Sequence, residues 1–333
     1  MMPALLRTIL LACAAAGAHA AGPADFAARP EVRAFIREMV EQHRFVQHEL
    51  EFVFSRARRE PAILEAIQPP TPQARRPWDA YRAIFVNDRR IQAGAEFWRL
   101  HGSALERAQR EYGVAAEIVV SILGIETFYG RNTGRWRVVD ALATLAFDYP
   151  PRAGFFRSEL ANYLRLARDS GIDVFAVRGS YAGAIGIPQF MPGSYLRFAV
   201  DFDGDGAADL RASAADAIGS VANFLKQHGW QADAPVVAAA SVSGEGYKAF
   251  ADGSVEPKHP AAELAKAGVR FDGVPPEAHA ALIELDNGEA PPEYRLGLAN
   301  FYVLTRYNRS SFYAAAVADL AAALRAALQP EGR

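Results

Sequence analysis

A glutamate set in an apolar helix is the first residue in this sequence with the makings of chemistry. Glu126 lies in residues 116–130, AEIVVSILGIETFYG, where Ile118, Val119, Ile122, Leu123 and Ile125 crowd together. The pattern predicts a helix apolar on nearly every side, and such helices are buried in a core. Glu117 opens it, where a carboxylate suits the positive end of the dipole. Glu126 falls in the last turn before the helix-ending Gly130, at the negative end. Burial and dipole both favour the protonated carboxyl, the form a general acid must hold near neutral pH. The plainer alternative is a solvated helix-end glutamate, and the apolar flanks count against it.

A second carboxylate cluster has a different spacing. Asp201, Asp203, Asp205, Gly206 and Asp209 match positions one, three, five, six and nine of a calcium-binding EF-hand loop, with Ala207 offering a carbonyl. The twelfth position, normally a bidentate glutamate, is Ala212. An Asx-rich surface turn is the rival reading, and Asp216 is either a substitute ligand or a helix cap. The other usual chemistries find no motif. The seven histidines are scattered with no His-Glu-x-x-His and no cysteine partners. Ser180 lies in Gly-Ser-Tyr-Ala-Gly and not in a Gly-x-Ser-x-Gly elbow. The surrounding 179–191, GSYAGAIGIPQFM, has no Gly-Lys-Ser/Thr, so it is no phosphate loop; its glycines predict a close-packed turn. A glycosidase ordinarily needs two carboxylates. The nearest downstream of Glu126, Asp140 and Asp148, read equally well as capping or solvated residues. A mechanism with a single carboxylate therefore has to be considered.

The elements that must position these residues are mostly helical. Residues 31–58 and 81–112 show helical periodicity, as do 140–147, 155–168 and 216–229. Four prolines in 68–78 predict an extended loop. Short strands are expected within 236–269 and at 282–285, and an Ala-rich helical stretch closes the chain at 302–328. The chain has 333 residues, 51% of them hydrophobic and 22% charged, enough for one large domain or two to three smaller ones. With 36 Lys+Arg against 38 Asp+Glu the net charge is -2, which gives no basis for nucleic-acid binding. Residues 1–20, with Arg7, an apolar run at 9–16 and Ala18-His19-Ala20, read as a secretory signal peptide. The expected protein is exported, periplasmic and monomeric, with no cysteine left for a disulfide. Leu10-Leu11-Ala12-Cys13 loosely resembles a lipoprotein processing box, which would instead give a lipid anchor through Cys13 and outer-membrane association. No later stretch is expected to be long and apolar enough to span a bilayer.

Ordered motifs then point to a family. Glu126-Thr-x-x-Gly130-Arg131, Asp140-Ala-Leu-Ala-Thr-Leu-Ala-Phe147 and Gly179-Ser180-Tyr-Ala-Gly-Ala-Ile-Gly186-x-x-Gln189-Phe-Met-Pro192-x-Ser194-Tyr195 resemble the bacterial lytic transglycosylase B family. The likeness continues through Ala199-Val-Asp-Phe202, the Asp/Gly loop, residues 216–223 and Asn300-Phe-Tyr-Val-Leu-Thr-Arg-Tyr307-Asn308. It spans roughly residues 32–320 and is weakest between 231 and 295. The resemblance implies a mainly α (α+β) fold with a lysozyme-like helical core at 111–230 and 296–328. It further implies an N-terminal helical domain at 21–110 and a small inserted β-domain at 231–295. Members cleave the MurNAc–GlcNAc β-1,4 bond of peptidoglycan glycan strands without water and leave 1,6-anhydromuramoyl ends. One glutamate serves as acid and then base, and the matching position is Glu126. Ser180 and Gln189 match residues that contact the sugar; Tyr81, Tyr307, Asn308 and Tyr313 look like groove lining. Structural rivals are a core aromatic for Tyr81 and Tyr313 and a helix cap for Asn308. Arg152 resembles one of two adjacent arginines facing the peptide stem, the other being Ala153 here. No cofactor is implied for the chemistry, and the Asp201–Asp209 loop corresponds in part to a structural calcium site. The alternatives are a hydrolytic muramidase, with reducing ends as products, and a non-catalytic peptidoglycan-binding protein.

Overall fold

The computed structural model describes residues 26–69, 71 and 76–328. The expected leader and Cys13 lie outside the described residues. The amphipathic stretch after them forms α1 (Pro30–His43) and α2 (Gln47–Arg56), separated where Arg44 takes a left-handed φ of 57°. α1 buries Val32, Phe35, Ile36 and Met39, the single face that helical spacing predicts. A short α3 (Pro61–Ala66) follows, then α4 (Trp78–Phe85), α5 (Asp88–Leu100) and α6 (Gly102–Tyr112).

α7 (Ala116–Thr127) is the central helix, packed by α5, α6, α11 and α14. The predicted helix ends three residues earlier than Gly130, because Phe128, Tyr129 and Gly130 all have positive φ. Next come a two-residue β1 (Trp136–Arg137), α8 (Val138–Asp148) and α9 (Ala153–Asp169). β2 (Arg178–Gly179) pairs antiparallel with β1 and leads into α10 (Pro192–Phe198) and α11 (Ala214–Gln227).

The strand-forming part has β3 (Val237–Val242), β4 (His259–Pro260), a short α12 (Ala261–Lys266), β5 (Val269–Phe271), β6 (His279–Asn287) and β7 (Ala290–Gly297). They form an antiparallel sheet in the order β4-β6-β7-β3-β5. β6 explains its own apolar run. Ala281, Ile283 and Leu285 join the helical core, while Ala280 and Leu282 join a smaller core with Leu264, Val269, Leu296 and Leu298. Alternate side chains of a strand face opposite ways, so both faces of β6 are buried. β7 was not expected, since Pro291 and Pro292 disguise it.

The chain closes with α13 (Ala299–Tyr307) and α14 (Ser311–Leu328), two helices where one stretch was expected. α14 also corrects the expectation about membrane spans. Its 18 residues have a mean hydropathy of 1.4, long and apolar enough to cross a membrane. Its Tyr313, Val317, Leu320 and Leu324 are instead buried against the core, where α14 packs on α7, α5, α4 and α13.

Candidate active site

The carboxyl of Glu126 emerges where α7 ends. Phe128 and Tyr129 donate their amides to the carbonyls of Gly124 and Leu123, which closes the helix through left-handed residues. Tyr129 then folds back over Gly124, where a Cβ would come within 2.7 Å of its ring, so only glycine fits. Arg90 of α5 donates to the Gly124 carbonyl at 3.1 Å, and Tyr129 Oη donates to the Arg90 carbonyl at 2.9 Å. Thr127 Oγ1 donates to the Ile187 carbonyl at 2.8 Å and accepts from the Gly130 amide at 2.9 Å. The end of α7 is thereby fastened to the glycine-rich loop.

Glu126 keeps an opening to solvent, but protein encloses its carboxylate. Its one hydrogen bond among the described residues is accepted by Oε1 from Tyr313 Oη at 2.7 Å. Burial pushes the carboxyl from 4.5 up to about 7, while the Tyr313 bond acts in the opposite direction. Tyr307 stacks on Tyr313 with ring centroids 6.3 Å apart and donates to the Pro188 carbonyl. The hydroxyls of Tyr307 and Tyr313 are raised well above their ordinary range by burial first and then by the Glu126 charge. Tyr81 is raised by the same two causes in the same order, which places it within the field of Glu126. It lies against Trp78, Phe85 and Phe312, so its ring is part of the packing that holds the site.

The glycine-rich loop is the close-packed turn its composition predicts. A Cβ on Gly179 would sit 2.1 Å from the Ala184 carbonyl oxygen. Ser180 Oγ accepts the amides of Ala182 and Ala184 at 3.3 and 3.0 Å, leaving its proton to donate. Gln189, at φ 53°, donates its amide nitrogen to the carbonyls of Thr133 and Gly186. Gln189 and Tyr307 line a recess of about 300 Å³ with Phe155, Phe198, Arg306 and Arg309. Arg152 is exposed and lies over Phe155 at 4.4 Å, at the edge of that recess. Asn308 is exposed at the C-terminal end of α13, beside Tyr307. Neither hydrogen-bonds Glu126 among the described residues. A larger cavity of about 420 Å³ lies at the opposite end of α7, around Glu117 and Trp230.

The structure also disposes of the rival acids. Asp140 is buried and accepts from Arg137 and from the Arg58 amide, and Asp148 pairs with Arg29 and Arg59. Both are held by arginine. In the acidic loop, Asp201, Asp203 and Asp205 can each bring one carboxylate oxygen within 4.8 Å of the others. Asp209 instead forms a two-point pair with Arg211, and the Ala207 amide donates to Asp205. Asp216 is not the cap of α11. Ser213 caps α11, and buried Asp216 accepts the amides of Phe202, Asp203 and Asp209, bracing the loop from inside. Thr127 and Arg90 escaped the sequence reading. Thr127 had a signal as the neighbour of Glu126, whereas nothing in the sequence joins Arg90 to α7.

Residues 27–322 match the family described as the transglycosylase SLT domain. The chain belongs to that family. It is 41% identical over 309 residues to membrane-bound lytic murein transglycosylase B of Escherichia coli (strain K12), covering 90% of this chain and 84% of the relative. The crystal structure of soluble lytic transglycosylase SltB1 from Pseudomonas aeruginosa is 46% identical, with a TM-score of 0.84 over 90% of this chain and 99% of that one. Escherichia coli lytic transglycosylase Slt35, solved in complex with calcium, is 41% identical with a TM-score of 0.82, covering 91% and 95%. The chain is thus a transglycosylase of lysozyme-like fold, and nothing found favours a muramidase or a non-catalytic protein.

Proposed function

We propose that this chain cleaves the MurNAc–GlcNAc β-1,4 bond of peptidoglycan without water, with Glu126 as its single acid and base. The observation that carries the reading is the enclosure of the Glu126 carboxyl by protein, with one tyrosine hydroxyl as its partner, which raises it to about 7; Asp140 and Asp148, the next acidic residues along the chain, are tied to arginines. Glu126 gives its proton to the glycosidic oxygen as the bond to C1 breaks, and GlcNAc leaves with a free hydroxyl. The N-acetyl carbonyl of MurNAc stabilises the positive charge at C1. The Glu126 carboxylate then takes the proton from the C6 hydroxyl, O6 bonds to C1, and the 1,6-anhydro ring closes with the acid regenerated. Water is not consumed, because the C6 hydroxyl is already tethered at high effective concentration. Tyr313 holds the carboxyl in place and steadies its ionised form between the two proton transfers. Ser180, Gln189, Tyr81, Tyr307, Asn308 and Arg152 are proposed to line the glycan path. Mass spectrometry of fragments released from purified sacculi tests this: the account expects muramoyl ends one water lighter than reducing ends, and reducing ends alone contradict it.

Calcium is a structural proposal. The donors are all oxygen, as calcium prefers. Asp201, Asp203 and Asp205, with the Ala207 carbonyl, would hold the ion, and Asp209 would join only by leaving Arg211. The ion would neutralise a loop that already folds around Asp216. A chelator should lower the melting temperature, and an unchanged melt removes the ion. A location in the cell envelope accords with the membrane-bound relative; export to the periplasm, a monomeric state and the alternative anchor at Cys13 belong to the same proposal.

A further inference from the structure

The sheet contributes none of the residues assigned to the groove, yet it grips two of the three helices that carry groove tyrosines, α4 and α14. Arg295 of β7 is 8% exposed. Its two terminal nitrogens reach both oxygens of Asp319 on α14 at 2.6 and 3.0 Å, and its Nε reaches Glu293 at 2.6 Å. Asp319 also accepts from Arg82 of α4 at 2.5 Å. Glu293 accepts from Trp78 Nε1 on the same helix at 2.9 Å, and the Arg295 guanidinium lies 5.3 Å from the centre of the Trp78 ring. Two cations and two anions thus close a neutral knot that joins β7, α4 and α14. The β6–β7 turn adds a third tie. α4 begins at Trp78, its N-cap position is Pro77, which offers no side-chain cap, and the Asp79 amide finds its acceptor in Asn287 at 2.9 Å.

The helices so joined pack on each other beside Glu126. On α4, Trp78 stacks with Tyr81, and both rings meet Phe312 of α14. The next residue on α14 is Tyr313, whose hydroxyl holds Glu126. We infer that Arg295 is a positioning residue, through which the sheet fixes the spacing of Tyr81 and Tyr313 about the acid. A two-point guanidinium–carboxylate contact has the directionality this needs, which an ammonium lacks. The inference rests on the reading of Glu126 as the acid.

The test uses Arg295→Lys, which keeps the charge and loses the fork. On a soluble peptidoglycan fragment, kcat should fall about tenfold, as expected for misplacement of a catalytic group from a distance, with KM changed less than about twofold. In a Tyr313→Phe background, the same substitution should lower kcat by less than about twofold, because both changes act on one contact. An unchanged kcat in the parent, or the same tenfold loss in both backgrounds, overturns the inference. Should Arg295→Lys fail to fold, Glu293→Gln keeps the side chain's shape and removes the charge that Arg295 Nε and Trp78 Nε1 meet. It should lower kcat about threefold in the parent and leave the Tyr313→Phe background unaffected; equal losses in both overturn the inference. Glu126→Gln, assayed alongside, separates the two claims: an active variant refutes the acid, whereas the pattern at Arg295 bears on positioning alone.

Discussion

α7 carries a glutamate at each end, and the two live in opposite surroundings. Glu117, in the first turn, meets the positive end of the helix dipole and the guanidinium of Arg325, with Nε at 3.0 Å. Glu126, in the last turn, meets the negative end, an apolar enclosure and one tyrosine hydroxyl. The residue type and the helix are the same; the supply of positive charge differs. A carboxylate that serves structure is saturated with donors, as Asp216 is with three backbone amides. One that must deliver a proton at neutral pH is left short of them.

The contrast breaks most readily at Glu126 itself. Glu126→Gln should lower the rate of anhydro-product release by about 10²–10⁴-fold, the range for loss of a general acid–base group. Glu117→Gln should change that rate by less than about twofold, since the pair with Arg325 is partly exposed and remote from the recess. Equal losses from the two would erase the distinction.

Stability should move the other way. The Glu126 carboxyl is raised from 4.5 to about 7 by folding, so its ionised form is disfavoured in the folded state. That penalty is absent below the unfolded value, grows between 4.5 and about 7, and is complete above. At about 1.4 kcal/mol per unit, Glu126→Gln should therefore gain up to about 3 kcal/mol at alkaline pH and little at pH 4, read from denaturant melts at both. A loss at alkaline pH would mean that the carboxylate is stabilised after all. Glu117→Gln should instead cost up to about 1 kcal/mol, because it removes a favourable pair.

Tyr313→Phe sharpens the contrast more gently. Its hydroxyl favours the ionised carboxylate, so its removal should move the alkaline limb of the pH–rate profile upward. A downward move would show that the substitution lets in water and its solvation dominates.

α7 was the most legible part of the sequence, because a run of apolar residues interrupted by Glu126 is a local pattern. The glycine-rich turn was legible for the same reason. The ordered motifs brought Tyr313 forward, although the bond to Glu126 joins residues 187 positions apart. What stayed hidden depends on contacts between distant elements. Arg90 capping α7, Asp216 bracing the acidic loop and Arg295 gripping Asp319 are pairings fixed by the tertiary fold. β7 was missed because its prolines argue against a strand until the register with β3 and β6 is seen. The membrane-length hydropathy of α14 misleads in the opposite sense, as its apolar face is consumed by α7.

The central claim is that Glu126 is protonated at neutral pH in the free enzyme. Carbon-13 NMR of the glutamate carboxyls across pH, assigned by difference against Glu126→Gln, reads that proton directly. The account predicts one carboxyl titrating with a midpoint at about 7 that disappears in the variant, whereas a Glu126 midpoint near the ordinary 4.5 would contradict it.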